Sequence, residues 1–202
     1  MTIVLYADSD LPRCLNTASK QDKRARKLAQ LRSGIPVKRT ARPNPQGFFS
    51  RTVFVTLKNG EEVVIQFRPD PLNIEPFKLA RKVLGEVVPE VKLIEDDEEL
   101  TRNKVWVYPL TRIPGETWLD GAAGNSEETR ATTLRSLGRI FARGFIADNS
   151  ELVVDSVLRP HLELLLASTD TQIGQLKDEV KELIAKLDQL KTLPLFIAHF
   201  DL

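Results

Sequence analysis

Residues 51–68 read RTVFVTLKNGEEVVIQFR, and this stretch decides the fold. β-Branched and aromatic residues fill Arg51 to Leu57, the composition that suits a pleated, half-buried surface. Lys58-Asn59-Gly60-Glu61 supplies a turn, and Asn-Gly is the strongest short hairpin signal because both residues tolerate positive φ. Glu62 to Phe67 is then the return strand. Side chains alternate between the faces of a strand, so Gln66 and Arg68 share one face. The stretch predicts a β-hairpin, the start of an antiparallel sheet.

Downstream, the period changes. Phe77, Leu79, Ala80, Val83 and Leu84 give a broad apolar helical face over Ile74 to Val88, with Glu75 near its start. Val91 to Ile94 and Lys104 to Tyr108 read as a second hairpin. Its loop, Glu95 to Glu99, is acidic but lacks the Gly and terminal ligand of a calcium loop, so a solvated turn is expected. Helices are predicted over Glu127 to Ala147 and Asp155 to Leu166, the second with Pro160 near its beginning or at a kink. Gln172 to Leu190 is the longest periodic segment. Its Ile173, Leu176, Val180, Leu183, Leu187 and Leu190 fall alternately three and four apart, and Glu182 and Lys186 suit an exposed pair. A core-facing helix is expected there rather than a dimer zipper. His161 stands far from any Cys or second His and reads as a satisfied polar residue. Leu193-Pro194 then ends the helical pattern. A short apolar run, Leu195 to Ala198, predicts a buried strand that presents His199 and Asp201 at its end.

Upstream, residues 1–46 read as a basic helical extension and linker. Leu11, Leu15, Ala18, Ala25, Leu28 and Leu31 recur loosely at helical spacing, and nine basic residues lie between Lys20 and Arg42 against one acid, Asp22. Such a run is usually a solvated helix face, and without interleaved aromatics a nucleic-acid contact is not expected. Gly34, Pro36, Pro43, Pro45 and Gly47 mark a linker.

Composition bounds the class. The 202 residues are 42% hydrophobic and 28% charged, ordinary for a soluble globular protein. The net charge of +1 argues against a general nucleic-acid or membrane-surface binder. Cys14 is the only cysteine, so no intrachain disulfide forms and a reducing, cytoplasmic setting is expected.

The order of these elements carries a resemblance. Val88-Pro89-Glu90-Val91 enters the second hairpin, and Tyr108-Pro109-Leu110-Thr111-Arg112-Ile113-Pro114-Gly115-Glu116-Thr117 follows it. Leu137-Gly138 opens the Leu-Gly-Arg-Ile-Phe-Ala-Arg-Gly-Phe stretch, and the chain closes on His199-Phe200-Asp201-Leu202. Together they resemble the aminoglycoside phosphotransferase and choline kinase-like family, which shares the protein-kinase fold, and they look similar to its fungal members, often found beside biosynthetic genes. There are departures. Phe200 stands where the family has Gly, Phe145 where it has His, and Ser50 where it often has Asn.

The resemblance implies an α+β fold. A small lobe of antiparallel sheet plus helix would span 47–113, and an incomplete, mainly helical large lobe 114–202. It implies ATP and Mg²⁺ as cofactors and transfer of the γ-phosphoryl to a small-molecule hydroxyl. Asp201, beside His199, would accept or orient the hydroxyl proton. Gly47 and Ser50 would belong to a glycine-containing turn over the phosphates. Gln66 falls at the place of the phosphate-binding cation, which it cannot replace in charge, and Arg68 would take that role. Glu75 would pair with the cation, and Tyr108 and Leu110 would lie near the adenine. The family's metal ligands fall after the His-x-Asp-Leu motif, so no metal ligand is assigned. The chain is therefore expected to be catalytically incomplete alone, with a protein partner covering exposed faces of the large lobe. The alternative is a non-catalytic binding or interaction module.

Overall fold

The computed structural model describes residues 3–115 and 126–197. The chain divides into two units, residues 1–121 and 122–202. Both helices and strands are present, and every strand pairing is antiparallel.

The first unit is built on a four-stranded sheet in the order β1 (Val37–Ala41), β2 (Arg51–Leu57), β3 (Glu62–Arg68), β4 (Trp106–Thr111). The predicted hairpin is β2–β3, with Val53 opposite Ile65 and Arg51 opposite Phe67. These residues face helix α1 (Ala18–Ser33), whose Ala25, Leu28 and Ala29 are buried. The helix starts where the Thr17 hydroxyl accepts the Lys20 N–H, and it ends at Gly34, whose φ of 69° few other residues tolerate. Val53, Val55, Ile65 and Phe67 are fully shielded from water beneath it.

Residues 1–46 are thus no appendage. Leu5, Leu11 and Leu15 join the same hydrophobic core as the sheet, so the expected boundary at residue 46 falls inside one unit. The charges of this segment are partly paired too. Arg24 bonds Asp97 at 2.9 Å and also Glu99, and both side chains of the Arg24–Asp97 pair are largely buried. The predicted linker contains β1, paired to β2 from Val37 to Ala41.

Helix α2 (Glu75–Leu84) follows β3 as expected, with Pro76 in its first turn. The second hairpin does not form as a full ladder. Val91 and Ile94 make isolated bridges to Leu110 and Val107, and β4 pairs instead with β3. The acidic loop is also not plain turn. Asp97 accepts the Leu100 N–H and caps a short helix, α3 (Glu98–Arg102), with Leu100 buried beneath it.

The second unit is mainly helical and differs more from expectation. Helix α4 (Glu127–Ala142) stops before Phe145, which lies in a short strand, β5 (Phe145–Ala147), instead of on the helix. At the turn between them Gly144 lies so close to the Ile197 carbonyl oxygen that a Cβ would sit 2.8 Å from it, which favours glycine. A π-helical segment, Val154–Leu158, precedes helix α5 (Arg159–Ala167), and Pro160 sits in the first turn of α5. The long periodic segment is broken into Thr171–Gly174, helix α6 (Lys177–Lys186) and the 3-10 stretch Leu187–Thr192. Glu182 and Lys186 do pair. The strand expected over Leu195 to Ala198 is only β6 (Leu195–Phe196) among the described residues. It pairs with β5, and Phe196 is 46% exposed rather than buried.

Candidate functional site

The sheet brings together residues that lie far apart in sequence. Thr52, Gln66 and Tyr108 form one row across β2, β3 and β4, and Phe54, Val64 and Leu110 form the next. Residues directly opposite in antiparallel strands share a face. Gln66, Arg68, Tyr108 and Leu110 therefore lie on one face, opposite the α1 side.

Arg68 is a cation on this face. It ends β3, opposite Trp106, and is half-buried. Its buried Nε has no hydrogen-bond partner among the described residues. Burial lowers its pKa from the ordinary guanidinium value, and nearby Tyr108 and Asp70 act in the other direction. A buried N–H without an acceptor is costly, so it is a natural place for an anionic oxygen. Tyr108 is fixed: its hydroxyl accepts the Leu72 N–H at 2.8 Å, which ties β4 to the turn after β3.

The loop of residues 42–50 joins β1 to β2 at the same end of the sheet. The Gln46 side chain accepts from the Thr52 N–H at 2.8 Å and donates to the Thr52 carbonyl at 3.0 Å, folding the loop back on the strand. The Gly47 carbonyl accepts Arg51 Nη1 at 2.8 Å. Ser50 is buried beside it. Gly47 and Ser50 thus stand next to the Thr52–Gln66–Tyr108 row.

Other expected contacts are not found. Glu75 is exposed and pairs with Lys78 at 2.7 Å, not with Arg68. A first-turn acid facing the helix dipole and its own i+3 lysine needs no distant cation. The backbone of Val107 to Leu110 is also occupied. The Val107 and Pro109 carbonyls accept the Ile94 and Lys92 N–H groups, while the other edge of β4 pairs with β3. The first linker residues beyond the sheet are Arg112 to Gly115. Leu110 also borders a cavity of about 380 Å³ with Glu61, Glu62, Glu90 and Lys92, whose charge balance disfavours a phosphate. His199 and Asp201 lie outside the described residues.

Sequence reading passed over Arg112, whose guanidinium lies 4.2 Å from the Phe54 ring centroid. Phe54 shares the face of Gln66, so this cation–π contact closes one side of it. The alternation of β2 places Phe54 there, but its partner becomes visible only once β3 and β4 are paired. No helix among the described residues is long and apolar enough to cross a membrane. The chain matches no protein-family model, and no curated protein or solved structure matches it.

Proposed function

We propose that this chain is an aminoglycoside phosphotransferase-like protein whose first unit carries the nucleotide, ATP with Mg²⁺. The observation that carries the reading is the shared sheet face of Gln66, Arg68, Tyr108 and Leu110, with the Gly47 loop at its end. Arg68 would hold the phosphates, and its unpartnered Nε fits an anionic oxygen. The base would lie toward Tyr108, Leu110 and the linker from Arg112 to Gly115. Bound Mg²⁺ would neutralise phosphate charge during γ-phosphoryl transfer. Asp201, with His199 beside it, would orient the hydroxyl of a small molecule and take its proton.

Two observations favour a second reading, a non-catalytic binding module. Gln66 is neutral at the expected cation position, and Glu75 is engaged with Lys78. Calorimetry with ATP·Mg separates the readings. The phosphotransferase reading expects binding that weakens in Arg68→Ala, with any turnover lost in Asp201→Ala. Binding that is indifferent to Arg68→Ala favours the binding module, and no nucleotide binding by the wild type sinks the nucleotide reading.

A further inference from the structure

The N-terminal segment is tied to the loop of residues 42–50 at several points. The Leu5 N–H donates to the Phe48 carbonyl at 2.6 Å, and the Tyr6 and Phe48 rings meet edge-on with centroids 6.4 Å apart. The Asp8 carboxylate sits between two arginines, accepting Arg51 Nε at 2.9 Å and Arg42 Nη1 at 3.3 Å. Arg51 is almost wholly buried, with its side chain 4% exposed. The same guanidinium donates through Nη1 to the Gly47 carbonyl at 2.8 Å and the Ser50 carbonyl at 3.3 Å. Asp8 therefore orients Arg51, and Arg51 orients the loop.

The geometry of the peptide bond gives this a consequence. In a planar trans peptide, the carbonyl of one residue and the N–H of the next point in opposite directions. The only cis bond in the described chain is Asn44–Pro45. With the Gly47 carbonyl drawn to Arg51 and the Phe48 carbonyl to Leu5, the Phe48 and Phe49 N–H groups point the other way. Neither has an acceptor among the described residues. Successive free N–H groups of this kind suit an anion.

We propose that Asp8 is a positioning residue for nucleotide phosphates. Through Arg51 it holds the loop carbonyls inward, so that the Phe48 and Phe49 N–H groups face the phosphates. This rests on the nucleotide reading above.

The test compares Asp8→Asn and Asp8→Glu with the wild type by amide hydrogen exchange and by calorimetry with ATP·Mg and adenosine. In Asp8→Asn, exchange at Leu5 and Thr52, whose N–H groups bond the Phe48 carbonyl and the Gln46 side chain, should quicken about tenfold or more while β3 is unchanged. ATP affinity should fall about tenfold with adenosine affinity held, and Asp8→Glu should recover part of the loss. Equal weakening of ATP and adenosine, or unchanged exchange at Leu5 and Thr52, overturns the proposal. If the wild type binds no ATP, the nucleotide reading and the phosphate role of Asp8 fall together. The exchange data then decide alone whether Asp8 holds the loop.

Discussion

In the first unit Val53, Val55, Ile65 and Phe67 are fully shielded from water, whereas in the second Leu134, Leu152 and Leu164 are 61%, 79% and 69% exposed. Among the described residues of the second unit, Val154, Val180 and Leu187 are the buried apolar ones. Both regions carry apolar residues at regular spacing, so periodicity alone does not explain the contrast. The difference is closure. A sheet fixes several strands edge to edge, and one helix then covers a whole face. The short helices of the second unit each offer a stripe, and most of each stripe stays in water. Every large side chain left exposed forgoes roughly 1.5–3 kcal/mol of burial.

This contrast can be broken by substitution. Phe67→Ala should have the largest effect, about 3–5 kcal/mol in urea unfolding, because it empties the centre of a closed core. A loss below about 1 kcal/mol would show that this core is not tightly packed. Gly144→Ala should cost about 1–3 kcal/mol, since its Cβ would meet the Ile197 carbonyl at 2.8 Å. Loss of β5–β6 contacts in NMR spectra would place that damage in the second unit. Leu164→Ala should change stability by less than about 0.5 kcal/mol, because the side chain is already solvated. A large destabilisation would mean that something covers this face in solution.

The smallest effect is electrostatic. Lys191 bonds Asp155 at 2.8 Å and Asp188 at 3.0 Å in the second unit. Hydrogen bonding to Lys191 lowers the Asp155 pKa, and hydrogen bonds to Asp155 and Asp188 raise that of Lys191. A depressed carboxylate stabilises above its unfolded value, near 3.8, and loses that contribution as pH falls through its folded value. A raised lysine stabilises fully below its unfolded value, near 10.5, and loses that contribution as pH rises through its folded value. The cluster thus favours folding between these limits. Lys191→Ala should lower melting temperature slightly at neutral pH, with the difference shrinking in acid. A difference that is constant with pH would assign the effect to packing.

Local features were legible and distant pairings were not. The β2–β3 hairpin and α2 follow from turn chemistry and period, both set within a few residues. The place of the N-terminal segment is not legible locally, because Leu5, Leu11 and Leu15 find partners on strands far along the chain and the charges beside them mask the stripe. Strand β1 has little strand character of its own and forms by pairing with β2. Phe145 keeps helical spacing in the sequence, but it pairs with Phe196, a partner far along the chain. In the candidate site, alternation placed Gln66 and Arg68 together. Their meeting with Tyr108 required the β3–β4 pairing, and the ties of Asp8 to Arg42 and Arg51 needed the fold.

The pairing of β3 with β4 has a kinetic consequence. Arg68 meets Trp106 only after the intervening chain, with α2 and α3, has been gathered into a closed loop. Loop closure costs entropy before any contact rewards it, whereas the β2–β3 hairpin closes through a short turn. We therefore expect the hairpin to form early and β4 and the N-terminal segment to dock late. Pulse-labelled exchange during refolding tests this order: protection of Tyr108, which faces Gln66 of β3, before Val55 would reverse it. The candidate nucleotide face, which needs β4, would then be among the last parts of the first unit to appear.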